Sequence, residues 1–403
     1  MNDPETASAF DSEADALLAF GARSRVRDGF GWLSDDGSID EGQGVHLWVT
    51  GRMTHCFALG AIRGDDACID LAAHGVRSLA EGPLAHAPRG GWATALDADG
   101  TDRGLPQQSY DHSFVVLAAA SGRIAGLDGA AELLDAALRV FEDLWWDDDA
   151  GMVVDARDPR TGRVSPYRGI NANMHTVEAL LAAWSATGDR LHLERALRIT
   201  RRVTDLFLTH GFRLPEHFSS GWDPVLDYNI DAPADAFRPF GSTIGHWIEW
   251  SRLILEVRHE CSVAHLDCPE SFGTVPPHLY RKALAEGWGV DGAPGFVYTV
   301  DFDGRPVVHR RMYWVLCEAI GTAATLAHVT GDRSYAYDIA DFWSYARRFL
   351  IDCPGAWREE LDEDNAPASG TWSGKPDIYH ALQAMLATTL PVSGSFARAL
   401  TGR

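Results

Sequence analysis

No run of about 18 apolar residues occurs in the chain, so no segment reads as a membrane-spanning helix. The opening stretch MNDPETASAFDSEADALLAF is acidic and lacks the basic start and apolar run of a secretory signal. Among six cysteines no two stand as C-x-x-C, which argues against a zinc ribbon or a dithiol redox motif. Most lie in apolar helical stretches and read as buried free thiols, which suits a reducing cytoplasm. H-E-x-x-H is missing, and so is a glycine-rich phosphate cradle. Positive charge is scarce: 35 Lys and Arg stand against 57 Asp and Glu, a formal net charge of −22. Binding a polyanion needs clustered Lys and Arg, so nucleic acid and anionic membranes are poor partners. A neutral or weakly charged small molecule fits, although acidity also serves solubility.

What is present is a core and a repeat. Hydrophobic residues make up 46% and charged residues 23% of the 403, the balance of a globular chain able to bury a large core. Length alone suggests two or three domains. A polar-aromatic cluster, however, opens an apolar helical stretch six times: GRMTHCFALGAI, QSYDHSFVVLAAA, NANMHTVEALLAAW, GSTIGHWIEWSRLIL, RRMYWVLCEAIGTAA and KPDIYHALQAMLATT. These segments align on His55, His112, His175, His246, Tyr313 and His380. VVLAAA and ALLAAW have no polar stripe, so such helices should be buried on all sides. Between them run amphipathic segments such as AAELLDAALRVFEDLWW and SYAYDIADFWSYARRFLI, which read as outer helices. Six inner and six outer helices predict an all-α fold, an (α/α)6 barrel, as a single domain over residues 1–403. The inner helices then point the same way, and their N-terminal ends, with unpaired N–H groups and a positive dipole, line one mouth. FGWLSDDGSID, GWATALDADGTD, GMVVDARDPRTGR and GFVYTVDFDGRP read as short β-hairpins that decorate that mouth.

The candidate chemistry lies in the first turns. His246 in STIGHWIEW and His380 in KPDIYHALQ each open a predicted inner helix. A lone helical histidine is most often a hydrogen-bonded core residue, and sixteen histidines make coincidence easy. Here the two share one position of the repeat. Glu249 follows His246 by three residues, on the same face and within pairing reach. Arg238, Trp314 and Asp377 should crowd the same rim. Aldose–ketose isomerisation needs such a set: a base titrating near neutral pH, a second acid or base for ring opening, and a cation for the developing enediolate. A metal-dependent route would want several hard carboxylate ligands with a histidine, and the clusters are poor in acids. In NANMHTVEA, Asn171 and His175 share a helix face, with Glu178 three residues on, and Asn171 also reads as a helix cap. Arg52 and Tyr110 stand at the corresponding rim as sugar-hydroxyl ligands. The 14 tryptophans suit stacking on sugar faces, although core packing accounts for most.

Four motifs carry a resemblance that spans residues 12–390. They are R-x-x-H-x-F (Arg52, His55, Phe57), N-A-N-M-H-x-x-E-A (Asn171 to Ala179), G-H-x-x-E-W (Gly245 to Trp250) and K-P-D-I-Y-H-A-L-Q-A (Lys375 to Ala384). With these the chain resembles the N-acylglucosamine 2-epimerase superfamily, and the last motif is similar to its mannose and sulfoquinovose isomerase branch. The resemblance implies an (α/α)6 barrel, no metal or other cofactor, and a cis-enediol route on an unphosphorylated sugar, with mannose and fructose the first expectation. It implies that His246 and His380 act as acid and base. His380 would carry the proton between C2 and C1, and His246, oriented by Glu249, would serve ring opening. Arg52, Asn171, His175, Arg238, Glu249 and Trp314 would line the pocket. Ile244 departs from the pattern, which usually has proline there, and this puts the start of the helix bearing His246 in question. The alternatives are a sugar 2-epimerase or a sulfoquinovose isomerase of the same fold. A glycoside hydrolase is a third, and it would need two catalytic carboxylates, for which Asp111, Asp227, Asp231 and Glu249 are available.

Overall fold

The computed structural model describes residues 4–402, with side chains described from residue 8 onward. The helices of the described residues are α1 (Pro4–Gly21), α2 (Leu47–Ile62), α3 (Asp66–Glu81), α4 (Ser109–Ile124), α5 (Ala130–Val140), α6 (Ile170–Thr187) and α7 (Arg190–Thr209). They continue with α8 (Ile244–Val263), α9 (Ser271–Gly287), α10 (Tyr313–Thr330), α11 (Ser334–Tyr345), α12 (Tyr379–Ala387) and α13 (Phe396–Leu400). No helix among them is long and apolar enough to cross a membrane.

Burial alternates as the sequence pattern predicts. α4 buries 13 of its 16 residues, whereas α5 buries four of 11, on one face. That face presents Leu133 and Leu134, each worth about 1.5–3 kcal/mol when taken from water. Backbone contacts divide the chain into two units. One holds the described residues up to Leu17, Thr200–Lys375 and His380–Val392. Within it α8 packs on α9 and α10, and α10 on α11. The other holds Leu18–Ile199, Pro376–Tyr379 and the residues from Ser393 onward. Within it α2 packs on α3 and α4, and α4 on α5 and α6.

The predicted hairpin segments are all bridged antiparallel, at Leu33 with Ile39, Leu96 with Asp102, Arg157 with Val164, and Thr299–Val300 with Pro306–Val308. They also do something that local pattern does not reveal. The residues leading into an inner helix form a two-residue strand, and a strand of the following connection pins it. Val45–His46 pairs with Ala95–Leu96, Gln107–Gln108 with Ala156–Arg157, Ser242–Thr243 with Thr299–Val300, and Arg311–Met312 with Glu360–Leu361. The first helical N–H, which has no partner inside its own helix, then donates across this pairing. Leu47 donates to Thr94, Ser109 to Asp155, Ile244 to Tyr298 and Tyr313 to Glu359, at 2.9–3.1 Å. None of α2, α4, α8 and α10 uses a side-chain cap, because the strand has replaced it. Ile244 therefore starts α8 firmly: it is fully buried, and a proline would have no N–H to give Tyr298.

Candidate active site

Strand-fixed starts set α2, α4, α8 and α10 in one register, and α6 and α12 can be numbered the same way. The second residues are Trp48, Tyr110, Asn171, Gly245, Trp314 and His380, and the sixth are Arg52, Phe114, His175, Glu249, Glu318 and Ala384. Positions four apart share one helix face. Most of the residues singled out from sequence fall on this face. The exceptions are His246, third in α8, and Arg238, in the loop before it. The histidine alignment is thus corrected. His55 is the ninth residue of α2 and His112 the fourth of α4, whereas His246 and His380 are third and second in theirs. His55 bonds Ser121 at 2.7 Å and His112 bonds the Ala137 carbonyl at 3.0 Å. Burial pushes both imidazoles down to about 4, so they are neutral core residues.

In the first unit Trp314 is flanked by both first-turn histidines. Its ring lies 5.4 Å from His246 and 5.6 Å from His380, centroid to centroid. The indole reaches α8 because position 245 is glycine. A Cβ there would lie 2.4 Å from two indole carbons. Each imidazole is held at Nδ1 by a buried carboxylate: His246 by Glu216 at 3.0 Å and His380 by Glu318 at 2.8 Å. Such a partner fixes the proton on Nδ1 and leaves Nε2 as the proton-accepting nitrogen.

Glu249, expected to orient His246, does not bond it but lies 3.8 Å from Arg252, on its own helix. The shared face is real, but the imidazole leans back toward the N-terminus of α8, as helical side chains do. There Glu216 also accepts the Thr243 N–H at 3.2 Å. Glu318 in turn accepts two bonds from Arg252, at 3.2 and 3.0 Å. Burial raises the Glu318 carboxyl, but the Arg252 charge and the His380 bond outweigh it and hold it below the usual range. Arg238 is half-buried, with its backbone tied to Asp235 and Asn229. Burial lowers the nearby His217 imidazole, and Arg238 and His246 lower it further.

In the second unit Arg52 is the centre. It bonds Asp377 at 3.1 Å and the Tyr110 hydroxyl at 3.0 Å. Its guanidinium also lies over the rings of Trp48, Tyr110, Phe114 and Tyr379, at 4.4–5.8 Å. Asp377 further caps α12, accepting the Tyr379 N–H at 2.8 Å. His175 packs between Tyr110 and Phe114, with Glu178 3.6 Å from its Nδ1. The Tyr379 hydroxyl donates to Glu178. Asn171 is not the cap of α6. It is the second helical residue and half-exposed, and Asn173 holds the helix start by bonds to Gly169 and Val153. Asp111 is buried, and burial pushes its carboxyl up to about 8, with a Thr94 bond and Arg52 opposing.

The N-acylglucosamine 2-epimerase description matches residues 29–384. The chain belongs to that family. A D-mannose isomerase of Thermobifida fusca is 45% identical over 394 residues, 97% of this chain and 96% of that protein. Another, of Pseudomonas cannabina pv. alisalensis, is 41% identical over 97% of this chain and 94% of its own. The crystal structure of a D-mannose isomerase superposes with a TM-score of 0.86 at 26% identity, covering 94% of this chain and 97% of that one. This superposition and the alternation of helices give the all-α, (α/α)6 class of the family.

Sequence reasoning missed Glu216, Glu318 and Arg252. Glu318 had a signal: it is the only acid in YWVLCEAIGTAATLAHVT, an otherwise apolar inner helix. Glu216 had none, because it lies 30 residues before His246 and reaches it only through the fold.

Proposed function

We propose that the chain is an aldose–ketose isomerase that interconverts D-mannose and D-fructose without a metal. The observation that carries this reading is the pair of imidazoles flanking Trp314, each held at Nδ1 by a buried carboxylate. His380 Nε2 takes the C2 proton of the open-chain aldose, and O1 gains a proton to give the cis-enediol. O2 then gives up its proton as C1 is protonated, which yields the ketose. His246 serves ring opening and the hydroxyl protons. Arg52, Tyr110, Asn171, His175 and Arg238 bind sugar oxygens, and Trp314 offers its indole to the sugar. The relatives named D-mannose isomerase support this substrate.

Two features support the finer points. Glu216 and Glu318 are engaged by His246 and His380, which suits carboxylates that orient a proton-transferring pair, and Arg252 joins Glu318 to Glu256. Arg52 is committed to Asp377, which suits a neutral hexose better than a sulfonate. Six free thiols fit a reducing cytoplasm.

The test is incubation of the chelated enzyme with D-mannose, with sugars resolved by NMR. Fructose should be the main product. Glucose as the first product would make the chain a 2-epimerase, and far faster turnover of sulfoquinovose would move the substrate while leaving the chemistry.

A further inference from the structure

Beyond the residues that reach the sugar, Arg252 is built into the first unit in a way that core packing does not require. It is 2% exposed, on α8, two turns from the helix start. Its Nε and Nη2 both bond one oxygen of Glu318, Oε2, at 3.2 and 3.0 Å. The other oxygen of Glu318, Oε1, bonds His380 Nδ1 at 2.8 Å. On its far side Nη1 bonds Glu256 at 3.0 Å, and Nη2 lies 3.8 Å from Glu249. A chain of charge thus runs Glu256, Arg252, Glu318, His380. An ammonium could not replace the fork, because one nitrogen cannot hold Oε2 from two directions.

We propose that Arg252 is a positioning residue for the isomerisation: its guanidinium fixes Glu318, and Glu318 fixes the orientation and tautomer of the His380 imidazole. This rests on the assignment of His380 as the base. The division of labour between the two carboxylate oxygens is what makes the relay work. With Oε2 taken by the guanidinium, Oε1 alone faces His380, so the imidazole has one acceptor in one place. Without Arg252 the Glu318 carboxylate keeps its charge beside Nδ1 but can rotate, so the imidazole loses its single fixed orientation. Within this unit the titratable groups around the chain include Glu249 and Glu256 on α8, Tyr313 on α10 with its ring 6.3 Å from His380, and His246 with Glu216 beyond Trp314.

The relay predicts opposite effects from its two ends. Removing a positive charge tightens proton binding by its neighbours, and removing a negative charge loosens it. The experiment follows the His380 resonances of histidine-labelled enzyme by NMR titration without sugar, assigned by loss in His380→Asn. It also follows the acid limb of kcat/KM on D-mannose. In Arg252→Met both should move up, by about one pH unit, and kcat should fall about 10- to 100-fold with little change in KM. Arg252→Lys keeps the charge, so the titration should stay within about 0.3 units while kcat still falls. Glu256→Gln should move the titration down. Arg252→Met with unchanged titration and only a lower melting temperature would overturn the proposal as mere packing. If Arg252→Met does not fold, Glu256→Gln decides: an unmoved His380 titration overturns it equally. Titrations that shift as described in an enzyme inert toward mannose would sink the substrate reading and leave the relay standing.

Discussion

Gly245 lies directly against Trp314, so close that a Cβ at 245 would sit 2.4 Å from Cζ3 and Cη2 of the indole. The contact seats Trp314 between His246 and His380. Gly245→Ala must displace the indole and, with it, the spacing of both imidazoles. Misplacement of about 1 Å commonly costs up to 100-fold, so kcat on D-mannose should fall by one to two orders of magnitude. The fold should persist, because only one methyl is added to a half-buried ring, and circular dichroism should match the wild type. Activity within about twofold would show that the indole position is not used.

Glu216 is the carboxylate on His246. Glu216→Gln keeps an acceptor oxygen but removes the negative charge beside the His246 imidazole. Turnover of D-mannose should fall about 10- to 100-fold, within the range of general acid–base effects. If His246 serves ring opening, an open-chain aldose analogue should lose much less. Equal losses on both substrates would remove ring opening from His246.

Asp377 holds Arg52 with one oxygen and caps α12 with the other. Asp377→Ala loses both and leaves Arg52 without that carboxylate, so it should destabilise by about 3–5 kcal/mol. Asp377→Asn can still cap and should cost less, yet it should raise KM for mannose as Arg52 loosens. Denaturant unfolding of the two variants measures the order. The reverse order would mean that the cap, and not the ion pair, is unimportant here.

Stability should depend on pH through groups outside the site. His55 and His112 lie at about 4 when folded against an ordinary value of 6.5. Between those values the unfolded chain binds the protons, so their contribution is whole above about pH 6.5 and is lost as pH falls toward 4. His112→Asn should flatten the acid slope of stability by about one proton. Asp111 works oppositely. Its folded value of about 8 means that the folded chain keeps a proton which the unfolded chain has lost, so stability falls as pH rises from about 4 to 8. Asp111→Asn should raise the melting temperature by a few degrees at pH 7 and change little at pH 4. An unchanged pH profile in both variants would remove these two sites from the account.

The layer pattern was readable because burial on all sides leaves a helix such as α4 without a polar stripe, whereas α5 keeps one. His246 and His380 were readable as polar groups in first turns of apolar helices. The register was not. Aligning on histidine put His55 level with His246, but helix starts are set by strand pairs such as Arg311–Met312 with Glu360–Leu361, about 50 residues apart, and no local pattern reports them. The same gap explains Asn171 and Asn173, where the cap depends on a start that sequence places only to within about two residues. It also explains Glu249 and Glu216: helical spacing reveals a neighbour on the same helix, while the true partner comes from a distant connection.

The central claim is that His380 carries a proton between C2 and C1 with no metal involved. The direct measurement is NMR of D-mannose incubated in D2O with enzyme stripped by exhaustive chelation. Undiminished fructose formation is expected, with deuterium entering at C1 of the product, and His380→Asn should lose both turnover and exchange at C2. Near-normal exchange in His380→Asn, or activity that a divalent ion must restore, would contradict it.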